Sequence, residues 1–197
     1  AVVRKAGRVI LCDEVQPGFG RMGSHGWGHE WLGFAPDVVT MGKPMGNGHP
    51  VAAVVARPDV MAAFREAFGY FNTFGGNPVS CAAAMAVLDV FEEEGLVAHA
   101  KGVADYTLSL LTGLQHPLIH EARGTGLFFG VELARNGVPA PEAAAAVVEG
   151  MKARGVLIGR IGRAQHILKL RPPMPFSREN ADMAVAALAG ALAEVRA

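Results

Sequence analysis

Short apolar runs separated by glycine-rich stretches make up the first part of the chain. Three of these runs read RVILCDE (8–14), DVVTM (37–41) and VAAVVA (51–56). Brief, almost continuously apolar segments are typical of buried strands, and their succession predicts an open α/β sheet. The long glycine-rich stretch between the first two runs predicts an irregular loop. A second loop is expected over 40–50, which reads TMGKPMGNGHP.

Helical patterns begin after the third run. Pro58 and Asp59 predict the start of a helix to Phe68, because Pro is tolerated in a first turn and a carboxylate there suits the helix dipole. A longer helix is predicted between Asn77, a capping residue followed by Pro, and Gly95. The length of this second helix suggests a connector between two domains.

The remainder of the chain alternates helix and strand. The pattern predicts, in order, a helix to Leu114, a strand LFFGVEL (127–133), a helix over 141–154, strands VLI (156–158) and HILKL (166–170), and a helix after Ser177. This order predicts a small sheet covered on one face by helices. We therefore divide the chain into 1–95 and 96–197. Because the sequence lacks an initial Met and enters a strand-like run almost at once, we expect it to be a piece of a longer protein.

Composition narrows the class of protein. Of the 197 residues, 51% are hydrophobic and 18% are charged, with a formal net charge of zero. Such a chain lacks the excess positive charge that binds nucleic acid or an anionic membrane surface. The sequence shows neither an apolar stretch of membrane-spanning length nor the pattern of a signal peptide. We expect a cytoplasmic protein with small-molecule partners, and we expect Cys12 and Cys81 to be buried thiols.

A carboxylate and an amine follow neighbouring predicted strands. Asp13 ends the first strand, and Lys43 lies in the loop after the second. Ligands of open α/β sheets bind outside the carboxyl ends of the strands, so these two side chains are expected to face one crevice. A salt bridge, or two unrelated surface charges, would explain the same pattern.

Two other kinds of site are weaker alternatives. VILCDE resembles an ATPase strand that ends in a magnesium-binding Asp and a catalytic Glu. However, a phosphate-binding loop needs Gly and Ser or Thr at the positions that Asp37 and Pro44 occupy around Lys43. His25, His29 and Glu30 could ligate a metal, but no fourth ligand follows at a recognisable spacing. We therefore predict neither an ATPase nor a metal site.

Several ordered motifs together identify a family resemblance. The segments are DEVQPGFGRMG, PDVVTMGKPMGNGHP, NTFGGNPVSCAAAMAVL, RGTGLFFGVEL and LKLRPPMPFSRENAD. They resemble the class III aminotransferases, which are pyridoxal phosphate enzymes of fold type I. The resemblance implies the carboxy-terminal part of the large cofactor-binding domain, followed by the small α/β domain.

The resemblance also implies roles for individual residues. Lys43 would form the internal aldimine with pyridoxal 5'-phosphate, and Asp13 would keep the pyridine nitrogen protonated so that the ring accepts electrons. Val15 would press on one face of the ring, and Gln16 would bind near the ring hydroxyl. Thr73 would reach the cofactor phosphate across the interface of a homodimer, so that two subunits share one active site.

The small domain departs from the family pattern where many relatives carry a carboxylate-binding Arg. LKLRPP places Lys169 at that position and Arg171 next to the paired prolines. A lysine is a point charge and lacks the two parallel N–H groups with which an arginine binds a carboxylate, so bidentate recognition of a carboxylate is not expected at position 169. Either residue could still bind an anionic substrate.

The expected activity is amino-group transfer between a small amine or amino acid and a keto acid or aldehyde. The motifs also resemble the branch that contains ethanolamine-phosphate phospho-lyases, which eliminate phosphate and ammonia after the same first steps. A third interpretation is an inactive fragment or dimerisation module, since the glycine-serine phosphate cradle of the family is not in this sequence.

Overall fold

The computed structural model describes residues 2–196, which form two compact units, one extending to Val97 and the other beginning at Ala98. Each unit has its own sheet. A three-stranded sheet lies in the first unit and a larger, mainly antiparallel sheet in the second.

The first unit combines a small sheet with helices of 4 to 16 residues. Its helices and strands are α1 (Val2–Lys5), β1 (Leu11–Asp13), α2 (Gly28–Trp31), β2 (Val38–Met41), β3 (Ala53–Ala56), α3 (Pro58–Ala67) and α4 (Pro78–Glu93), with a 3-10 turn at Lys43–Gly46. Strands β1 and β2 are parallel, whereas β2 and β3 are antiparallel. The predicted cap of α4 is confirmed, because the side chain of Asn77 accepts a hydrogen bond from the Ser80 N–H.

The strands of this sheet are less buried than their apolar runs predict. Leu11 is 57% exposed, and Val54 and Val55 are 65% and 56% exposed. No residue of α3 or α4 is buried among those that the structure describes. For this reason Cys81, in the first turn of α4, is exposed, and its predicted burial is wrong; Cys12 is half-buried.

The second unit packs three long helices against one face of its sheet, and the first of these helices starts two residues before the boundary between the units. Its elements are α5 (Leu96–Gly113), β4 (Ile119–Thr125), β5 (Phe128–Arg135), β6 (Val138–Pro139), α6 (Pro141–Ala153), β7 (Gly159–Ile161), β8 (Ile167–Leu170) and α7 (Arg178–Ala193). The sheet order is β4-β5-β8-β7, with β6 paired to β5.

Alternation along the strands builds the core of the second unit. In β5, Phe129, Val131 and Leu133 are buried while the residues between them are half-buried. Successive side chains of a strand point to opposite faces, so one face of the sheet packs against apolar positions of the helices, such as Leu111 in α5 and Leu188 in α7. The predicted sheet with helices on one face is therefore confirmed.

Three local predictions are wrong. The glycine-rich loop contains the short helix α2. Strand β4 was not predicted, because its sequence, IHEARGT, mixes polar and apolar residues. It pairs with β5 along most of its length. The predicted strand at 156–158 lies three residues later, as β7, because a turn closed by the Gln165 N–H and the Gly162 carbonyl sets the pairing of Ile161 with Ile167.

Candidate active site

Lys43 lies at the start of a tight turn rather than in an open loop. The residue begins the 3-10 turn and has a positive φ of 29°, and its side chain is exposed. A non-glycine residue in this region carries backbone strain of about 1–3 kcal/mol, which persists only where the surroundings enforce it. Among the described residues, the Lys43 amine has no hydrogen-bond or ion-pair partner. The amine is thus presented without a protein counter-ion.

Asp13 and Val15 lie beside this turn. Asp13 pairs in register with Thr40, and its Oδ1 accepts a 3.0 Å hydrogen bond from the Val15 N–H. The Val15 methyl groups are within 3.9 Å of the position that a side chain would take at Gly42. Two predicted residues, a carboxylate and an apolar side chain, therefore border the segment that carries Lys43.

The other two predicted residues of this unit are exposed. Gln16 follows Val15, and its side chain makes no hydrogen bond to any residue in 2–196. Thr73 lies in a turn in which Asn72 Oδ1 accepts hydrogen bonds from the N–H groups of Phe74 (3.1 Å) and Gly75 (3.0 Å). Both side chains are accessible to a ligand.

A buried carboxylate that sequence reasoning did not select anchors the end of β1. The Glu14 side chain is fully buried, and it accepts hydrogen bonds from the N–H groups of Gly28 and His29, each at 2.8 Å, and from the His29 ring at 2.7 Å. Burial opposes ionisation of Glu14, but these donors outweigh it and lower the pKa of the carboxyl. Only glycine fits at 28, because a side chain there would lie 2.9 Å from Pro17. The glycine-rich loop therefore folds around Glu14.

Glu14 also brings a thiol into this network. Cys12 Sγ lies 3.4 Å from Glu14 Oε1, and burial, followed by the bond to Glu14, raises the pKa of Cys12 to about 11. Cys12, Glu14 and His29 place their ligand-type atoms within 4.8 Å of one another. His25 instead pairs with Ser24, and Glu30 accepts from the Trp27 N–H. The metal ligands considered from the sequence thus do not converge.

A second buried carboxylate holds the start of the sheet. Asp37 accepts hydrogen bonds from the Ile10 N–H at 2.8 Å, from Arg4 at 3.1 Å and from Arg57 at 3.0 Å. The Ile10 N–H, followed by Arg4, holds the pKa of Asp37 at about 2. In the sequence, Asp37 is visible only as a polar residue just before an apolar run. Its hydrogen-bond partners could not be predicted, because they lie 20 to 33 residues away along the chain.

The two predicted substrate-binding residues belong to the second unit. Lys169 lies in β8, opposite Gly130 on one side and Gly159 on the other, and is half-buried. No hydrogen bond or ion pair of its amine occurs within the described part of the chain. The Arg171 guanidinium lies 5.1 Å from the centre of the Phe128 ring.

Comparison with known proteins identifies the family. The sequence model of the family "Aminotransferase class-III" matches residues 1–192, and the chain belongs to that family. It is 49% identical over 187 residues to alanine-glyoxylate aminotransferase 2-like of Drosophila melanogaster, covering 91% of this chain and 38% of the relative. It is 42% identical over 194 residues to ethanolamine-phosphate phospho-lyase homolog 1 of Caenorhabditis elegans, covering 94% of this chain and 42% of that one.

Solved structures agree with this assignment. A phospholyase from Arthrobacter in complex with phosphoethanolamine is 43% identical and superimposes with a TM-score of 0.94, over 98% of this chain and 47% of that one. The chain therefore spans less than half the length of these relatives. The predicted fold, the α/β architecture of the pyridoxal phosphate enzymes of fold type I, is confirmed.

Membership of the family identifies the cofactor, and the names of two relatives concern the cellular location. Class III aminotransferases are pyridoxal phosphate enzymes, as the motifs of this chain implied. Two further relatives are named as mitochondrial proteins, so the cytoplasmic location stays a prediction. Within 2–196, none of the helices has the length and apolar character that a membrane-spanning segment requires.

The residues of the first unit fit the cofactor. An exposed amine with no hydrogen-bond or ion-pair partner among the described residues is accessible for a covalent bond to an aldehyde. A strand-end carboxylate suits a protonated ring nitrogen, and a half-buried valine suits a flat ring.

Proposed function

We propose that this chain is the carboxy-terminal part of a pyridoxal phosphate enzyme that transfers an amino group between a small amine or amino acid and a keto acid or aldehyde. The observation that carries the proposal is the setting of Lys43: an exposed amine on a strained turn, bordered by Asp13 and Val15 and without a hydrogen-bond or ion-pair partner within residues 2–196. Membership of the class III family supports the choice of reaction.

Each residue of this group has a distinct task. When bound, pyridoxal phosphate supplies the electron sink for a substrate carbanion. The Lys43 amine would accept the proton from the substrate carbon and deliver it to the cofactor, and Asp13 would hold a proton at the ring nitrogen. Val15 orients the ring by packing, while Gln16 offers a hydrogen bond at the ring edge.

Covalent trapping tests the role of Lys43. The chain is incubated with pyridoxal phosphate and reduced with borohydride, and its peptides are mapped by mass. We expect a pyridoxyl group on Lys43 that is lost in Lys43→Ala and kept in Lys152→Ala, a control on an exposed lysine of α6 that pairs with Glu149. Absence of modification in the unaltered chain would contradict the proposal and favour the third interpretation, an inactive fragment or dimerisation module.

A phospho-lyase is the second candidate function. It is favoured by the likeness to the Arthrobacter phospholyase and by Lys169. The amine of Lys169 has no partner in the described part of the chain, and as a point charge it suits a phosphate better than a bidentate contact with a carboxylate. Arg171, stacked on Phe128, would add a second positive charge. Release of phosphate from phosphoethanolamine without a keto acid would favour the lyase, and strict dependence on a keto acid would exclude it.

We further propose a homodimer in which Thr73 binds the cofactor phosphate of the partner subunit. The residues around Thr73 are aromatic and exposed: Tyr70 by 71%, Phe71 by 87% and Phe74 by 79%. Exposed apolar clusters of this kind are typical of protein interfaces. Mixing Lys43→Ala with Thr73→Ala chains should restore one competent site per mixed dimer, whereas each variant alone stays inactive. A monomer by sedimentation would overturn this proposal.

A further inference from the structure

A continuous chain of hydrogen bonds joins the turn of Thr73 to the turn of Lys43. Asn77 is its centre: its side-chain nitrogen donates to the Phe74 carbonyl at 2.7 Å and to Ser80 Oγ at 3.0 Å. Its oxygen accepts from the Ser80 N–H at 2.9 Å. Ser80 Oγ in turn lies 2.8 Å from His49 Nε2. We call this the Asn77–Ser80–His49 chain.

The two side-chain contacts of Ser80 Oγ are compatible with each other. A hydroxyl accepts as well as donates, so Ser80 Oγ accepts a hydrogen bond from the Asn77 amide while the same group makes the hydrogen bond with His49 Nε2. Each of these three side chains therefore has a defined polar partner.

The turn between Lys43 and His49 transmits the position of His49 to Lys43. The Met45 N–H donates to the Gly42 carbonyl and the His49 N–H to the Gly46 carbonyl, each at 2.9 Å. A side chain at Gly46 would lie 2.6 Å from Val51 Cγ1, so this turn already packs without free space. A displacement of His49 would move the whole turn.

The strained backbone of Lys43 requires such a restraint. Hydrogen bonds within the turn fix its shape, but they do not attach it to another element. Among the residues that the structure describes, the bond from His49 to Ser80 is the side-chain hydrogen bond that ties 42–50 to a different element, the first turn of α4. Strain of this kind persists only where neighbouring groups enforce it.

We propose that His49 and Asn77, acting through Ser80, are positioning residues that hold the turns of Lys43 and Thr73 in a fixed mutual arrangement, so that Lys43 is held for the cofactor of its own subunit and Thr73 for that of the partner. This inference rests on the proposed function, in which Lys43 binds pyridoxal phosphate in its own subunit and Thr73 contacts the cofactor of the partner subunit. Neither His49 nor Asn77 touches the reacting atoms.

A double-mutant cycle tests the inference. His49→Phe removes the ring nitrogens, and Ser80→Ala removes the hydroxyl while leaving the backbone cap to Asn77. Each single variant should accelerate hydrogen exchange at 45–51 in the cofactor-free chain, and weaken pyridoxal phosphate binding, by about two- to tenfold, the effect of one neutral hydrogen bond. The double variant should be no worse than either single one.

Three comparisons keep the result interpretable. His49→Gln, whose amide can occupy the position of Nε2, should restore slow exchange and tight binding. His25→Phe, which loses only the contact with Ser24, should leave 45–51 unchanged. Exchange in the second unit should stay at its original rate in all variants, which shows that the chain remains folded.

The opposite results would overturn the inference. Additive effects of His49→Phe and Ser80→Ala, or no rescue by Gln, would show that His49 does not act through Ser80. If exchange at 45–51 responds as expected but Lys43→Ala keeps full affinity for pyridoxal phosphate, the hydrogen-bond chain is real and the proposed function is what fails.

Discussion

The two units bury opposite kinds of residue. Among the described residues, those buried in the first unit are Glu14, Asp37, Phe19 and the glycines at 18, 20, 23, 28, 42 and 46. The second unit instead buries leucine, valine, alanine, methionine and phenylalanine in one continuous cluster. The first unit is organised by hydrogen bonds to carboxylates, and the second by apolar packing.

This difference bears on how each unit presents its candidate lysine. Apolar packing is non-directional and tolerates shifts, whereas a buried carboxylate specifies where each donor must lie. The first unit can therefore hold Lys43 at a defined position on irregular backbone, and Asp13 at the end of β1. The second unit presents Lys169 from a regular strand, whose register with β5 and β7 fixes it.

The largest effect is expected from a core truncation in the second unit. Leu168 is fully buried in β8, so Leu168→Ala should lower the free energy of unfolding by about 3 kcal/mol, through lost burial and the cavity left behind. Leu157→Ala, at a position that is 83% exposed, should change it by less than about 0.5 kcal/mol. Urea unfolding of both variants measures the difference; equal effects would contradict the described core.

A somewhat smaller effect is expected from the buried carboxylate of the first unit. Glu14→Ala leaves the N–H groups of Gly28 and His29 without their acceptor, which should cost about 2 kcal/mol. Hydrogen exchange at those two amides should accelerate accordingly, while Glu66→Ala, at an exposed site of α3, should leave them unchanged. Unchanged protection in Glu14→Ala would show that the loop does not depend on the carboxylate.

Acid should weaken the first unit through Asp37. Its pKa is about 2 in the folded chain and about 4 when unfolded, so its stabilising effect is complete above pH 4 and is lost as the pH falls towards 2. The stability difference between the unaltered chain and Asp37→Asn should therefore shrink across this interval. A difference independent of pH from 5 to 2 would contradict the bonds of Asp37 to Ile10, Arg4 and Arg57.

The smallest effect is expected from the reactivity of the two thiols in the unaltered chain. At pH 8, Cys12, with its pKa raised to about 11 and its thiol half-buried, should react with a thiol reagent at least about tenfold more slowly than the exposed Cys81. Mass mapping of the two peptides over time gives both rates from one sample. Equal rates would indicate that the Glu14 network opens readily.

Local signals predicted the helices better than the loops. The capping Asn77 and the glycine at 95 bounded α4 because caps and stops are encoded within a few residues. The bonds of Glu14 and Asp37 join residues 14 to 33 apart, and no short pattern records such pairings. For the same reason β4 was missed: its strand character comes from pairing with β5 rather than from its own composition.

In the candidate site too, features encoded by neighbouring residues were predictable and features that depend on distant contacts were not. The places of Asp13 at the end of β1 and of Lys43 after β2 were predictable from the apolar runs that precede them, whereas their roles toward a cofactor stay a prediction. The positive φ of Lys43 and the chain through Asn77, Ser80 and His49 were not predictable, since both depend on how the turn is held against α4.

Lys43 occupies a backbone conformation that glycine would adopt at lower energy. Lys43→Gly should therefore yield a chain that has a higher free energy of unfolding but lacks the amine needed for the proposed covalent chemistry. At this position stability and the proposed function place opposite demands on the residue. A procedure that redesigns this chain for thermal tolerance alone would replace a residue on which its proposed chemistry depends.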